Sequence, residues 1–185
     1  RLGMSRIAGA LAPAAAVRVG PREVVRRDPP ALPGPGWHRV RTRLAGICGS
    51  DLSMIEGHAS TYFDDWVSFP FVPGHEVVGE LDDGTRVVLE PVLGHEARGF
   101  RPPFPGAAPG DGDDYAHLAD QSVIDAGIQT GFCCSTGGGW APAFVAHESQ
   151  LHRLDPATPD EQAVLIEPLA GGIHAALLAA RGHSA

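Results

Sequence analysis

The amino-acid sequence predicts a mainly β fold with some α: a partly open β-barrel followed by C-terminal helices. Short alternating runs occupy the chain as far as Leu154, helical signals begin only at Thr158, and 24 Gly and 17 Pro punctuate the 185 residues. Dense Gly and Pro favour short strands joined by turns. Strands first and helices last, without an internal repeat, favour a barrel over a sandwich. A hydrophobic fraction of 43% supplies one core in a chain of this length, hence one domain.

Residues 1–15 show no defined element. Ala16 to Val19 and Glu23 to Val25 read as short strands around the Gly20-Pro21 turn, and Pro29 to Pro35 as a loop. Trp37 to Leu44 alternates as a half-buried strand should, which places Arg39, Arg41 and Arg43 on one face. That face reads as solvated rather than as an anion site. Glu76 to Leu81 and Arg86 to Glu90 flank Asp82-Asp83-Gly84, a hairpin signal. A Gly/Pro-rich lobe covers 91–139, and strand character returns from Trp140 to Leu154. Thr158 as N-cap, Pro159 at the first helical position and Glu161 in a capping box open a helix. It should carry Gln162 to Ile166 and stop at Pro168. A second helix is predicted from Leu169 to Ala180, with Ile173, Leu177 and Leu178 forming an apolar face suited to another domain.

Composition excludes several classes. All 14 basic residues are Arg, so Schiff-base and P-loop lysine chemistry is ruled out. A net charge of −8 argues against nucleic acid, which needs a basic face. No uninterrupted apolar run reaches membrane-span length, so no membrane partner is expected. Ile7 to Val17 is alanine-rich and follows Arg1 and Arg6, but it lacks a cleavage site and is not read as a signal peptide. Three cysteines do not make a disulfide framework and suit a reducing cytoplasm.

Three segments carry chemistry: Gly46-Ile47-Cys48-Gly49-Ser50-Asp51-Leu52, Pro70-Phe71-Val72-Pro73-Gly74-His75-Glu76 and Leu165-Ile166-Glu167-Pro168-Leu169-Ala170. A thiolate, an imidazole and a carboxylate are ligands zinc accepts, and catalytic sites use three of them with one position open. On residue types alone the bland readings stand beside this one. Cys48 can be a small buried hydrophobe, His75 a loop histidine and Glu167 a surface charge at a helix end.

Gly46 to Leu52 and Pro73 to Glu76 resemble the two signature segments of zinc-dependent alcohol dehydrogenases of the medium-chain dehydrogenase/reductase superfamily, and Glu167 to Ala170 resembles their third ligand segment. The likeness runs from about Ala16 to the chain end. It implies a GroES-like barrel over 16–168, one catalytic zinc, and oxidation of an alcohol, polyol or sugar with hydride passing to NAD or NADP. By position it implies Cys48, His75 and Glu167 as ligands, with Glu76 an alternate ligand or a carboxylate behind the ligands. It also implies Ser50 as the proton-relaying hydroxyl and Asp51 as the orienter of His75.

Two departures qualify the likeness. The positions of a structural zinc hold His95, Phe104, Ala107 and Tyr115 instead of four cysteines, so that second ion is not expected. His117, Cys133 and Cys134 do not complete a set with His95, and Phe100, Phe104 and Tyr115 are expected to pack the lobe instead. The second departure concerns the cofactor. Gly137-Gly138-Gly139 leads into strand rather than helix and fails as a dinucleotide fingerprint. Residues 169–185 are expected to start the helix that enters a separate cofactor domain, with a homo-oligomer also possible for the family. The alternative is a stand-alone zinc-binding barrel without redox activity, acting as a binding or interaction module. A zinc-free quinone reductase fits less well, because it leaves Cys48 and His75 without a purpose.

Overall fold

The computed structural model describes residues 28–56, 58, 65–104, 116–119 and 123–182. Expectations for residues 1–15, the strands at Ala16 to Val19 and Glu23 to Val25, the Ile7 to Val17 run, Ala107 and Tyr115 fall outside them.

One five-stranded antiparallel sheet organises the chain. Its strands are β1 (Trp37–Ala45), β2 (Val77–Glu80), β3 (Arg86–Leu89), β4 (Ala143–His147) and β5 (Leu151–Arg153), in the order β4-β1-β2-β3-β5. Strands β4 and β5 lie on opposite edges yet are joined only by a 3-10 turn at Glu148–Gln150, so the sheet curls into a half-barrel. The hairpin and the alternating first strand fall where expected. The predicted strand from Trp140 to Leu154 divides because Gln150 turns inward: its buried amide donates to the carbonyls of Pro91 and Val92 at 3.0 and 3.2 Å.

Val40, Val77, Val87, Leu89, Phe144 and Ala146 form one buried cluster on the sheet. Trp37, Leu93, Ala97, Ile124, Cys133 and Val145 form a second cluster. Arg41 and Arg43 do face outward, but they are paired: both donate to Glu80, and Arg43 Nε also donates to Asp160 at 2.8 Å.

The lobe departs from expectation. Phe100 and Phe104 are exposed and do not form its core. Its centre is the buried Arg98, whose guanidinium donates to the carbonyls of Leu93, Asp125 and Gly127. One fork of five donors satisfies three carbonyls from two chain segments at once, which an aromatic ring cannot do.

Three helices complete the described fold: α1 (Gly49–Glu56), α2 (Asp160–Ala163) and α3 (Ile166–Gly182). Pro168 does not end a helix. It is the third residue of α3, in the first turn, where an amide has no intrahelical acceptor to lose. The N-cap before α2 is Pro159 rather than Thr158, with no side-chain cap bond. From Pro168 to Arg181 every residue of α3 is exposed. The expectation of no membrane-length segment also needs correction: the helical stretch Asp160–Arg181 is long and apolar enough by length and composition to cross one. Asp160, Glu161, Gln162, Glu167 and His174 interrupt its apolar residues, so no continuous run betrays it in the sequence.

Candidate metal centre

Cys48 sits where β1 gives way to α1. Its carbonyl accepts the Leu52 N–H at 3.3 Å, and Asp51, three residues on, returns a carboxylate oxygen to the Cys48 N–H at 3.2 Å. This is one half of a capping box, with the acid at the third helical position. The other Asp51 oxygen accepts the Gly74 N–H at 3.2 Å. One fully buried carboxylate therefore pins the turn of Cys48 to the turn of His75.

His75 is buried with its ring 5.6 Å from that of Phe132, above an apolar cluster of Met54, Val67 and Phe132. Its Nδ1 lies 3.4 Å from Asp51 Oδ1 without forming a well-directed hydrogen bond. Burial pushes the imidazole pKa down. The Asp51 carboxylate and the Cys48 sulfur outweigh burial and hold it at about 9. The surroundings of His75 thus favour positive charge. With Nδ1 turned to Asp51, Nε2 is left for a metal.

Glu76 follows His75 directly, and Gly46 gives its carboxylate room: a β-carbon there would stand 2.0 Å from Glu76 Oε2. The donor atoms of Cys48, His75 and Glu76 all lie within 4.8 Å of one another. A tetrahedral zinc with bonds of about 2.0–2.3 Å needs donors roughly 3.5 Å apart, so small rotamer changes suffice. The thiol, imidazole and carboxylate fit the ion in chemistry and spacing.

Glu167 stands outside this trio, in the first turn of α3. It is half-buried. Burial raises its carboxyl pKa, the charge of His75 opposes the rise and that of Glu76 adds to it. The resemblance ranks Glu167 as third ligand and Glu76 as reserve; proximity runs the other way. Glu76 is fixed by its neighbour His75 and by β2, whereas Glu167 rides on a helix with little cover. Ser50 is exposed at the start of α1, two residues beyond Cys48.

Elsewhere, His95 stacks on His117 with ring centroids 3.8 Å apart, and Phe104 is exposed. Cys134 donates its thiol to Asp125 Oδ2 at 3.0 Å, and Cys133 is buried. The Gly137-Gly138-Gly139 run has a packing purpose. A β-carbon at Gly138 would meet the Val72 carbonyl at 2.1 Å, so this loop lies flush on the His75 turn.

The sequence family described as the alcohol dehydrogenase GroES-like domain matches residues 34–156. The chain belongs to that family. Erythritol/L-threitol dehydrogenase of Mycolicibacterium smegmatis is 27% identical to this GroES-like domain over 76% of the chain and 40% of its own length. Galactitol-1-phosphate dehydrogenase from Escherichia coli has the same fold with a TM-score of 0.58 and 24% identity, over 86% of this chain and 42% of that one. The rspB alcohol dehydrogenase of E. coli CFT073, solved with NADH, gives a TM-score of 0.51 and 24% identity, over 79% of this chain and 39% of its own. The GroES-like domain thus spans about two fifths of the length of each relative. All three relatives are named as dehydrogenases, and the two solved structures share the fold.

Proposed function

We propose that this chain is the zinc-binding catalytic domain of an alcohol or polyol dehydrogenase. The observation that carries the reading is the convergence of the Cys48, His75 and Glu76 donors within 4.8 Å. Cys48 and His75 would hold one zinc ion together with a carboxylate from Glu76 or Glu167. When bound, the ion supplies Lewis acidity that lowers the pKa of an alcohol oxygen toward neutrality.

The chain's own residues do the rest. Asp51 fixes the His75 turn and faces its Nδ1, leaving Nε2 for the ion. The apolar floor under His75 keeps water from that side of the ring. Exposed Ser50, two residues beyond Cys48, would pass a proton between the site and solvent. NAD(P) is the hydride acceptor implied by the relatives, and this reading leaves its binding to residues outside the described domain. Small alcohols or polyols are the corresponding substrates.

Metal analysis of the purified chain tests the reading. Wild type should carry about one equivalent of zinc, and Cys48→Ser or His75→Ala should abolish it. Stoichiometric zinc in either variant would end the proposal.

A further inference from the structure

Trp140 is a large aromatic left 37% exposed at the surface, and nothing in the proposed ligand set uses it. Its indole and backbone hydrogen bonds nevertheless go to the two ligand-bearing turns. The indole Nε1 donates to the Gly46 carbonyl at 3.0 Å, two residues before Cys48. The Trp140 backbone N–H donates to the Pro73 carbonyl at 3.1 Å, and its neighbour Gly139 donates to the Gly74 carbonyl at 2.8 Å. The ring lies so close to Gly74 that a β-carbon there would come 2.5 Å from Trp140 Cδ1. Gly74 also has φ +98°, a conformation other residues adopt at a cost.

Only an indole combines a broad apolar face with a single N–H donor at its edge. Here the ring packs on the turn that carries His75 and Glu76, while the edge reaches the turn that carries Cys48. The Gly46 amide meanwhile donates to the Glu76 carbonyl at 2.8 Å. Gly46 is thus held from both sides.

We propose that Trp140 is a positioning residue for the metal centre, a strut that sets the distance between the Cys48 sulfur and the His75 and Glu76 donors. The inference rests on the metal-binding reading above. It assigns to Trp140 no contact with metal or substrate.

The test titrates the full chain with cobalt(II) and zinc(II), in wild type, Trp140→Phe and Trp140→Leu. Phe keeps a ring against Gly74 but loses the donor; Leu loses both. Loss of one hydrogen bond should weaken cobalt binding about fivefold to tenfold in W140F, with a larger loss in W140L. The visible cobalt bands, which report ligand geometry, should shift in both variants. The same lost bond should lower the thermal midpoint of metal-free W140F by no more than about 4 °C. Wild-type affinity and bands in W140F overturn the inference and leave the metal reading standing. Weaker binding with unshifted bands and a matching fall in metal-free stability overturns it too, because Trp140 then serves only the fold. If wild type binds neither metal, the metal reading falls and takes this inference with it.

Discussion

Gly46 and Glu76 are locked together at two levels: the amide of one donates to the carbonyl of the other at 2.8 Å, and the missing side chain of one is the space occupied by the carboxylate of the other. The Glu76 oxygen is the flexible end of its side chain, so a methyl group at 46 displaces the acid rather than the fold. Gly46→Ala should weaken zinc binding about tenfold or more, the range for losing a group that supports a metal site. Glu76→Gln should do the same, and the double variant should lose no more than either alone. Additive losses in a competition titration would show that the two residues act separately.

Asp51 joins the turns of Cys48 and His75 through the Cys48 and Gly74 amides. Asp51→Asn keeps the shape, but its amide oxygen alone can accept where two oxygens accepted before. Zinc affinity should fall about 10- to 100-fold, and the metal-free thermal midpoint should fall as well. Unchanged affinity would remove Asp51 from the site.

The raised pKa of His75, about 9 against roughly 6.5 in an unfolded chain, has opposite consequences with and without metal. In the metal-free protein, the charged imidazole adds stability that is complete below about pH 6.5 and is lost as pH rises through 9. Metal must displace that proton, so zinc affinity should rise over the same window with proton release. Thermal melts and zinc competition at pH 6.5, 7.5 and 8.5 should slope in opposite directions. A zinc affinity independent of pH would refute the protonated imidazole.

Asp160 heads α2 and receives Arg43 from β1 and Arg86 from β3. Partial burial pushes its carboxyl pKa up, but the two guanidinium groups prevail and hold it below the usual value. A depressed carboxylate stabilises the fold above about pH 4 and loses that contribution as pH falls through its folded pKa. Asp160→Asn should cost about 1 kcal/mol at pH 7, and wild type and variant should converge in strong acid. Equal melting temperatures at pH 7 would mean that the network contributes nothing measurable.

What the sequence discloses and what it hides follow from the range of the forces involved. Strand β1 and the hairpin of β2 and β3 are written in local alternation and an Asp-Asp-Gly turn, so they are legible directly. The meeting of Cys48 with His75 is not: spacing along a chain says nothing about distance across a barrel, and only the family signature hinted at it. Helix α1 had a local sign, the acid three residues after Cys48, concealed by two glycines that discourage helix. Arg98 is the reverse case, a charged residue whose burial no local pattern announces, because two of its three carbonyl partners, Asp125 and Gly127, lie far along the chain. Trp140 left no trace in the sequence pattern, since a strut is defined by the two turns it spans.

Helix α3 begins at Ile166, carries the half-buried Glu167 in its first turn, and then presents Leu169, Ile173, Leu177 and Leu178 at the surface. The row of exposed side chains and Glu167 therefore belong to one rigid helical segment, so a shift of the row carries the acid with it.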